Sequence, residues 1–159
     1  MKWLAIVFCL FVGIIVNAQQ LGDFKPLYSL ERSTITKLDP ITNQSNEINV
    51  IDLVALGVDE NEGDLTIFQL RSVSELDQLV AVLEEANGLI GQKKNKEWRL
   101  TFLKGYPSMV SIEKKSNKIR IKTVYEVTLD GESNLECFFN VEEITKLIQL
   151  LQENKNLLK

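Results

Sequence analysis

Histidine is absent from the chain. That removes the usual general base at neutral pH, the usual partner of a serine or cysteine nucleophile, and the commonest zinc ligand. No phosphate-cradling glycine loop or dinucleotide fingerprint is present either. What remains for chemistry is one thiol in the body of the chain, one acidic run and one basic stretch. Cys137 alternates with Leu135 and Phe139, a spacing that aims it into a core, where a lone cysteine packs as a small apolar group. Asp59, Glu60, Glu62 and Asp64 stand close together and invite either paired-carboxylate hydrolysis or calcium binding. An acid catalyst needs a partly buried carboxyl, whereas this run reads as an exposed hairpin tip. The EF-hand register also fails, because Gly63 is fifth rather than sixth from Asp59 and Leu70 holds the twelfth position. The expectation is a solvated acidic turn, with no catalytic residue, no metal and no cofactor.

The basic stretch is broader. Residues 93–122 carry 10 basic side chains against 2 acidic ones. Lys118, Arg120 and Lys122 share one strand face by the two-residue period, opposite Ile119 and Ile121. With Arg99 from a neighbouring strand they form the candidate surface for an anion or a partner. Lys93, Lys94 and Lys96 lead into them, Lys104, Lys114, Lys115 and the aromatic Tyr106 stand near, and the competing explanation is a solvated face that discourages sheet aggregation. The overall balance of 18 basic and 22 acidic residues conceals a split. Residues 19–90 hold 4 basic and 13 acidic side chains, and residues 91–159 hold 13 and 9. Such asymmetry creates a potential that steers an oppositely charged partner.

Positioning these residues requires two helices and several strands. Leu76, Leu79, Val80 and Leu83 recur at helical spacing, as do Ile144, Leu147, Ile148 and Leu151. Ser72 with Glu75, and Asn140 with Glu143, have the spacing of capping boxes, and Asn87-Gly88 offers a left-handed stop to the first helix. These features repeat at an offset of 68 positions, which continues upstream through Gly63 with Gly131 and Ile67 with Leu135. Strands are expected over Leu27–Leu38, Glu47–Leu56, Leu65–Leu70, Trp98–Lys104, Ser108–Lys114, 119–129 and Leu135–Phe139, with turns at Gly105-Tyr106-Pro107 and Asp130-Gly131. The pattern predicts an α+β fold of antiparallel β-sheets with two amphipathic helices, built by internal duplication of a β-hairpin-plus-helix module.

The first 18 residues set the expected context. Met1-Lys2 precedes an apolar run from Trp3 to Val16, which turns polar at Asn17-Ala18-Gln19-Gln20. That order predicts a signal peptide over residues 1–18 cut after Ala18, because the run is shorter than the roughly 20 residues a membrane span needs. Cleavage would remove Cys9 and leave Cys137 alone, so no intrachain disulfide is expected. Residues 19–90 then form an acidic half and residues 91–159 a half with a basic sheet, the two making one compact domain. The resulting expectation is an exported, non-enzymatic binding protein, periplasmic or secreted. It would engage an unknown protein or anionic envelope component through its basic sheet face. Export argues against nucleic acid as the partner, no membrane span remains after cleavage, and homo-oligomerisation is open. Two alternatives are a structural envelope protein that self-associates through its acidic and basic halves, and a carboxylate-based hydrolase.

Overall fold

The computed structural model describes residues 19–20, 27–38, 44–59, 63–103, 109–128 and 131–159. The expected leader over residues 1–18, the acidic positions Glu60 and Glu62, and the turn Gly105-Tyr106-Pro107 with Lys104 lie outside these residues. Asp64 is described, and its carboxylate accepts a hydrogen bond of 2.8 Å from the backbone N–H of Gly57. It braces its own hairpin. Among the described residues no group of three or more potential ligands is placed to hold a metal ion.

The described residues form eight strands, two helices and a short 3-10 turn. Strands β1 (Gln19–Gln20), β2 (Leu27–Leu38), β3 (Ser45–Asp59) and β4 (Gly63–Leu70) make one four-stranded antiparallel sheet. Helix α1 (Val73–Gly88) follows. Strands β5 (Lys96–Arg99), β6 (Met109–Lys115), β7 (Lys118–Thr128) and β8 (Gly131–Phe139) make a second such sheet. Helix α2 (Val141–Asn154) closes it and runs into a 3-10 turn over Lys155–Leu158. The architecture is α+β with antiparallel sheets, and both halves run through the same sequence of elements. The helices begin 68 positions apart, at Val73 and Val141.

Strand alternation explains what each sheet buries. On β7 the side chains of Ile119, Ile121 and Thr123 are wholly buried, while Lys118 is exposed and Arg120 and Lys122 are half-buried. Val110, Ile112 and Lys114 on β6, and Cys137 and Phe139 on β8, point the same way. They meet Tyr28, Leu30, Ile51 and Leu53 of the first sheet and the stripes of both helices in one core. The rings of Tyr28 and Phe139 lie 4.6 Å apart by centroid, tilted 39°. Burying such a cluster is the main drive to fold, at about 25 cal/mol per Å² of apolar surface removed from water.

Two β-bulges join the sheets. In β4, Ile67 is the extra residue between the pairs Leu53↔Phe68 and Val54↔Thr66. In β7, Tyr125 is the extra residue between Val124↔Asn134 and Glu126↔Ser133. A bulge re-aims the groups around it. Here the Thr123 hydroxyl donates to the Ile67 carbonyl at 2.8 Å, and the Tyr125 hydroxyl donates to the Thr66 carbonyl. The edge of one sheet is thereby tied to the face of the other. Between the helices, Lys155 pairs with Asp77 at 2.6 Å. Lys96 and the Trp98 indole N–H both reach Glu85, anchoring α1 to β5 and holding that carboxyl below the usual range.

Two local expectations are corrected. The left-handed residue after α1 is Gly91 at φ +84°, since Gly88 is still helical and Leu89 caps in right-handed geometry. The chain runs on through turns in which Ile90 N–H bonds the Asn87 carbonyl and Gln92 N–H bonds the Leu89 carbonyl. The strand expected over Trp98–Lys104 stops at Arg99, because Leu100 turns inward and buries, and Leu103 N–H bonds back to its carbonyl.

Candidate functional site

Lysine is among the residues least often found fully buried, yet Lys114 has no exposed surface. It occupies an inward position at the end of β6, in register with Val110 and Ile112. Its amino group donates to two backbone carbonyls, those of Gln92 and of Lys94, the latter at 3.0 Å. Those carbonyls belong to the loop between Gly91 and β5, so one side chain from the second sheet fixes the path of that loop. No carboxylate pairs with Lys114 among the described residues.

The loop faces the β6–β7 hairpin, whose two-residue turn is Ser116-Asn117 between the paired Lys115 and Lys118. Ser116 sits at φ 56°. Two-residue hairpins need this left-handed geometry to match strand twist, and a non-glycine residue holds it at a cost of roughly 1 kcal/mol. Loop and hairpin enclose an open cleft of about 400 Å³. Its walls carry Lys93, Lys114 and Lys115, with the amides of Gln92 and Asn95 and the Ser116 hydroxyl. A second recess of about 550 Å³ adjoins it, sharing Gly91 and Asn117. Ile90 and the half-exposed Val141 give it an apolar wall, and Asn140 and Glu142 at the start of α2 give it a polar one. Each of Gln92, Lys93, Asn95, Lys115, Ser116 and Asn117 is exposed.

The four residues singled out from the sequence are placed differently. Lys118, Arg120 and Lys122 do lie on the outer face of β7, but they do not form a row of available cations. Arg120 is clasped by Glu113 on one side and Glu136 at 2.8 Å on the other. Those two carboxylates, Glu136 foremost, push its ionisation upward against the effect of burial. Lys122 stands directly between Ser111 and Glu136 in the strand register. Arg99 is well exposed on β5, 4.0 Å from Glu97. Only Lys118 lies beside the cleft, through its pairing with Lys115. The outer face is therefore a mixed ladder of opposite charges, of the kind that stabilises cross-strand pairs.

Sequence reasoning placed Lys114 among the surface lysines and missed its role. The signal was available, because Lys114 continues the period-two register of Val110 and Ile112. The two remaining groups with perturbed ionisation are buried partners, Tyr28 and Cys137. Burial raises both, the Cys137 thiol to about 12.

No protein-family model matches the chain, and no curated protein matches it. Three solved structures are similar in overall shape. The structure of the plant transcriptional regulator PBF-2 has a TM-score of 0.48 at 10% identity, covering 89% of this chain and 81% of that one. WHY3 from Arabidopsis thaliana has a TM-score of 0.48 at 12% identity, with coverage of 89% and 87%. WHY1 from the same plant has a TM-score of 0.47 at 11% identity, with coverage of 89% of each chain. At this similarity the neighbours carry no argument about activity. PBF-2 is described as a transcriptional regulator, another functional class than the binder of envelope components read from the sequence. The envelope-binding function with its self-associating and hydrolytic alternatives, and the exclusion of nucleic acid as a partner, are corrected accordingly, whereas the expected export is a separate matter on which these neighbours do not bear. On the sheet face from which that reading started, Arg120 is already clasped by two carboxylates, while Lys118 and Arg99 are exposed.

Proposed function

We propose that the chain binds single-stranded nucleic acid, taking a phosphate in the lysine-lined cleft and a base in the adjoining recess. The observation that carries this reading is Lys114. A buried charge costs several kcal/mol unless it is compensated, and the two acceptors that Lys114 meets are neutral carbonyls. Those carbonyls hold the ammonium just behind the wall of the cleft, so its charge adds to the positive potential that an anion there would meet. Lys93 and Lys115 add exposed positive charge on the same walls. The recess supplies what a simple anion would not use: an apolar wall of Ile90 and Val141 in a space that adjoins the lysine-lined cleft at Gly91 and Asn117. A chain of phosphates with a flat, partly apolar ring beside each one fits that pairing of surfaces. Duplex DNA, with its bases stacked inward, does not.

Binding of a labelled oligothymidylate of about 12 nucleotides, followed by fluorescence anisotropy, tests the reading over a length typical of single-strand sites. Wild-type chain should bind it in preference to a duplex, with affinity falling as salt rises. Lys93→Glu together with Lys115→Glu should weaken binding at least tenfold and lower the logarithmic salt slope by roughly 1.4, the value for two lost phosphate contacts. Lys114→Met, which keeps the stem and removes the charge, should also weaken it. Affinity unchanged by both variants, or a preference for duplex, would sink the proposal.

A further inference from the structure

We infer that two copies of this chain pair edge to edge along β2, joining their first sheets into one antiparallel sheet of eight strands. The inference does not depend on nucleic-acid binding, and its surface is a single strand edge rather than the acidic or basic half of the chain. Strand β2 runs for 12 residues against β3 without a bulge, yet on its other side β1 pairs only with Ser29 and Leu30. Among the described residues, the backbone from Glu31 to Leu38 has no strand beside it. An open edge of this kind is a template for a further strand, and no proline interrupts it. Arg32 and Lys37 are exposed along it. Such charges deter indiscriminate pairing, so the occupant has to match them.

A second copy matches them in one register. With a two-fold axis through Thr34, that residue meets its own copy, Arg32 meets Thr36, and Glu31 meets Lys37 at both ends. Opposite charges and paired threonines are favourable cross-strand neighbours, and a two-fold contact presents the same patch from each side. Directly opposite residues share a face, so this register also keeps the core-facing side of Leu30 on one side of the joint sheet. Centring the pair on Ser33 sends Lys37 to Ser29, which β1 already covers. Centring it on Ile35 carries Glu31 past the strand end at Leu38. A further observation favours a cation at Glu31, which lies opposite Asp52 of β3. Asp52 is buried; the Ser33 hydroxyl donates to one of its oxygens at 2.9 Å, and the other has no hydrogen-bond partner. Among the described residues no cation pairs with either acid. Like charges directly opposite destabilise a sheet, and Lys37 of the other copy brings the compensating charge to that place. A contact confined to one strand lies at the small end of specific interfaces, so the dimer is weak and reversible.

The test uses the whole chain carrying Cys9→Ser; Cys137 is buried and does not compete. Thr34→Cys should form a disulfide between copies under mild oxidation, because opposite residues of an antiparallel pair have Cα atoms about 4.5 to 5.5 Å apart, within reach of such a bridge. Thr36→Cys, equally exposed, should not, since its copy lies roughly 13 Å further along the strand. Dimerisation is then followed by sedimentation equilibrium in charge variants. Glu31→Lys alone and Lys37→Glu alone should each weaken it about tenfold, as two symmetric pairs turn from attraction to repulsion. Mixing these two variants should restore association, because each supplies the charge that the other lacks. Equal cross-linking at positions 34 and 36, no cross-linking at either, or charge reversals that leave the dissociation constant unchanged would overturn the pairing.

Discussion

Cys137 shows how little an amino acid's intrinsic reactivity counts once its surroundings are known. Its side chain is wholly enclosed beside Tyr28, and burial pushes the thiol up to about 12, with the hydrogen bond to Tyr28 opposing the shift. The thiolate is the nucleophile and the metal ligand, so the group is inert at neutral pH. Labelling with a thiol reagent at pH 8 should be negligible on the native chain and complete in denaturant; rapid labelling of the folded protein would contradict the burial. The same shift makes a statement about stability. A thiol whose folded value lies above its unfolded value of about 8.5 contributes fully below that value, and the contribution is lost as pH climbs towards about 12. Alkaline denaturation should accordingly begin in that window. Cys137 and Lys114 were equally legible by alternation. Cys137 was read correctly because its type agreed with an inward position, whereas Lys114 was misplaced because its type did not.

Elements were legible where apolar period and capping chemistry coincided. Both helices lie where their leucine and isoleucine stripes put them, and their first turns differ in a way the shared spacing conceals. At α2 the box is complete, with Asn140 and Glu143 each satisfying the other's backbone N–H. At α1 the Ser72 hydroxyl accepts from Glu75 N–H at 3.2 Å, but the Glu75 carboxylate reaches back to Arg71 N–H instead. Asn140→Ala should therefore cost about 1 to 2 kcal/mol and Ser72→Ala about half as much, measured by thermal or urea denaturation. Equal losses would mean that the second bond of the box contributes nothing. What local chemistry did not reveal was where elements stop. Gly88 has the right type to end α1, but the chain stays right-handed until Gly91. The intervening turns position Ile90 and Gln92, one for the recess and the other for the cleft. The site thus depends on a helix end and a hairpin turn far apart in sequence, a juxtaposition that no spacing rule contains.

Across the whole molecule, the halves are joined by apolar packing and by a small number of directed bonds. Thr123 is fully buried, and its hydroxyl to the Ile67 carbonyl is one of them. Thr123→Val keeps the shape but leaves that carbonyl without its hydroxyl donor. The expected loss is about 1 to 3 kcal/mol, seen as a lower denaturation midpoint with an unchanged slope. An unaltered midpoint would mean that the bulge at Ile67 is satisfied some other way. The bulges have a further consequence, which concerns the order of events when the chain folds. Every strand pairs with a strand adjacent to it in sequence, so each sheet can close its loops at small entropic cost without waiting for the other. The bonds from the Thr123 and Tyr125 hydroxyls to the Ile67 and Thr66 carbonyls can form only when the two sheets meet. Their bonds are therefore expected to form late, so that Thr123→Val should speed unfolding while leaving the folding rate nearly unchanged, and a slowed folding rate would place the bond early instead.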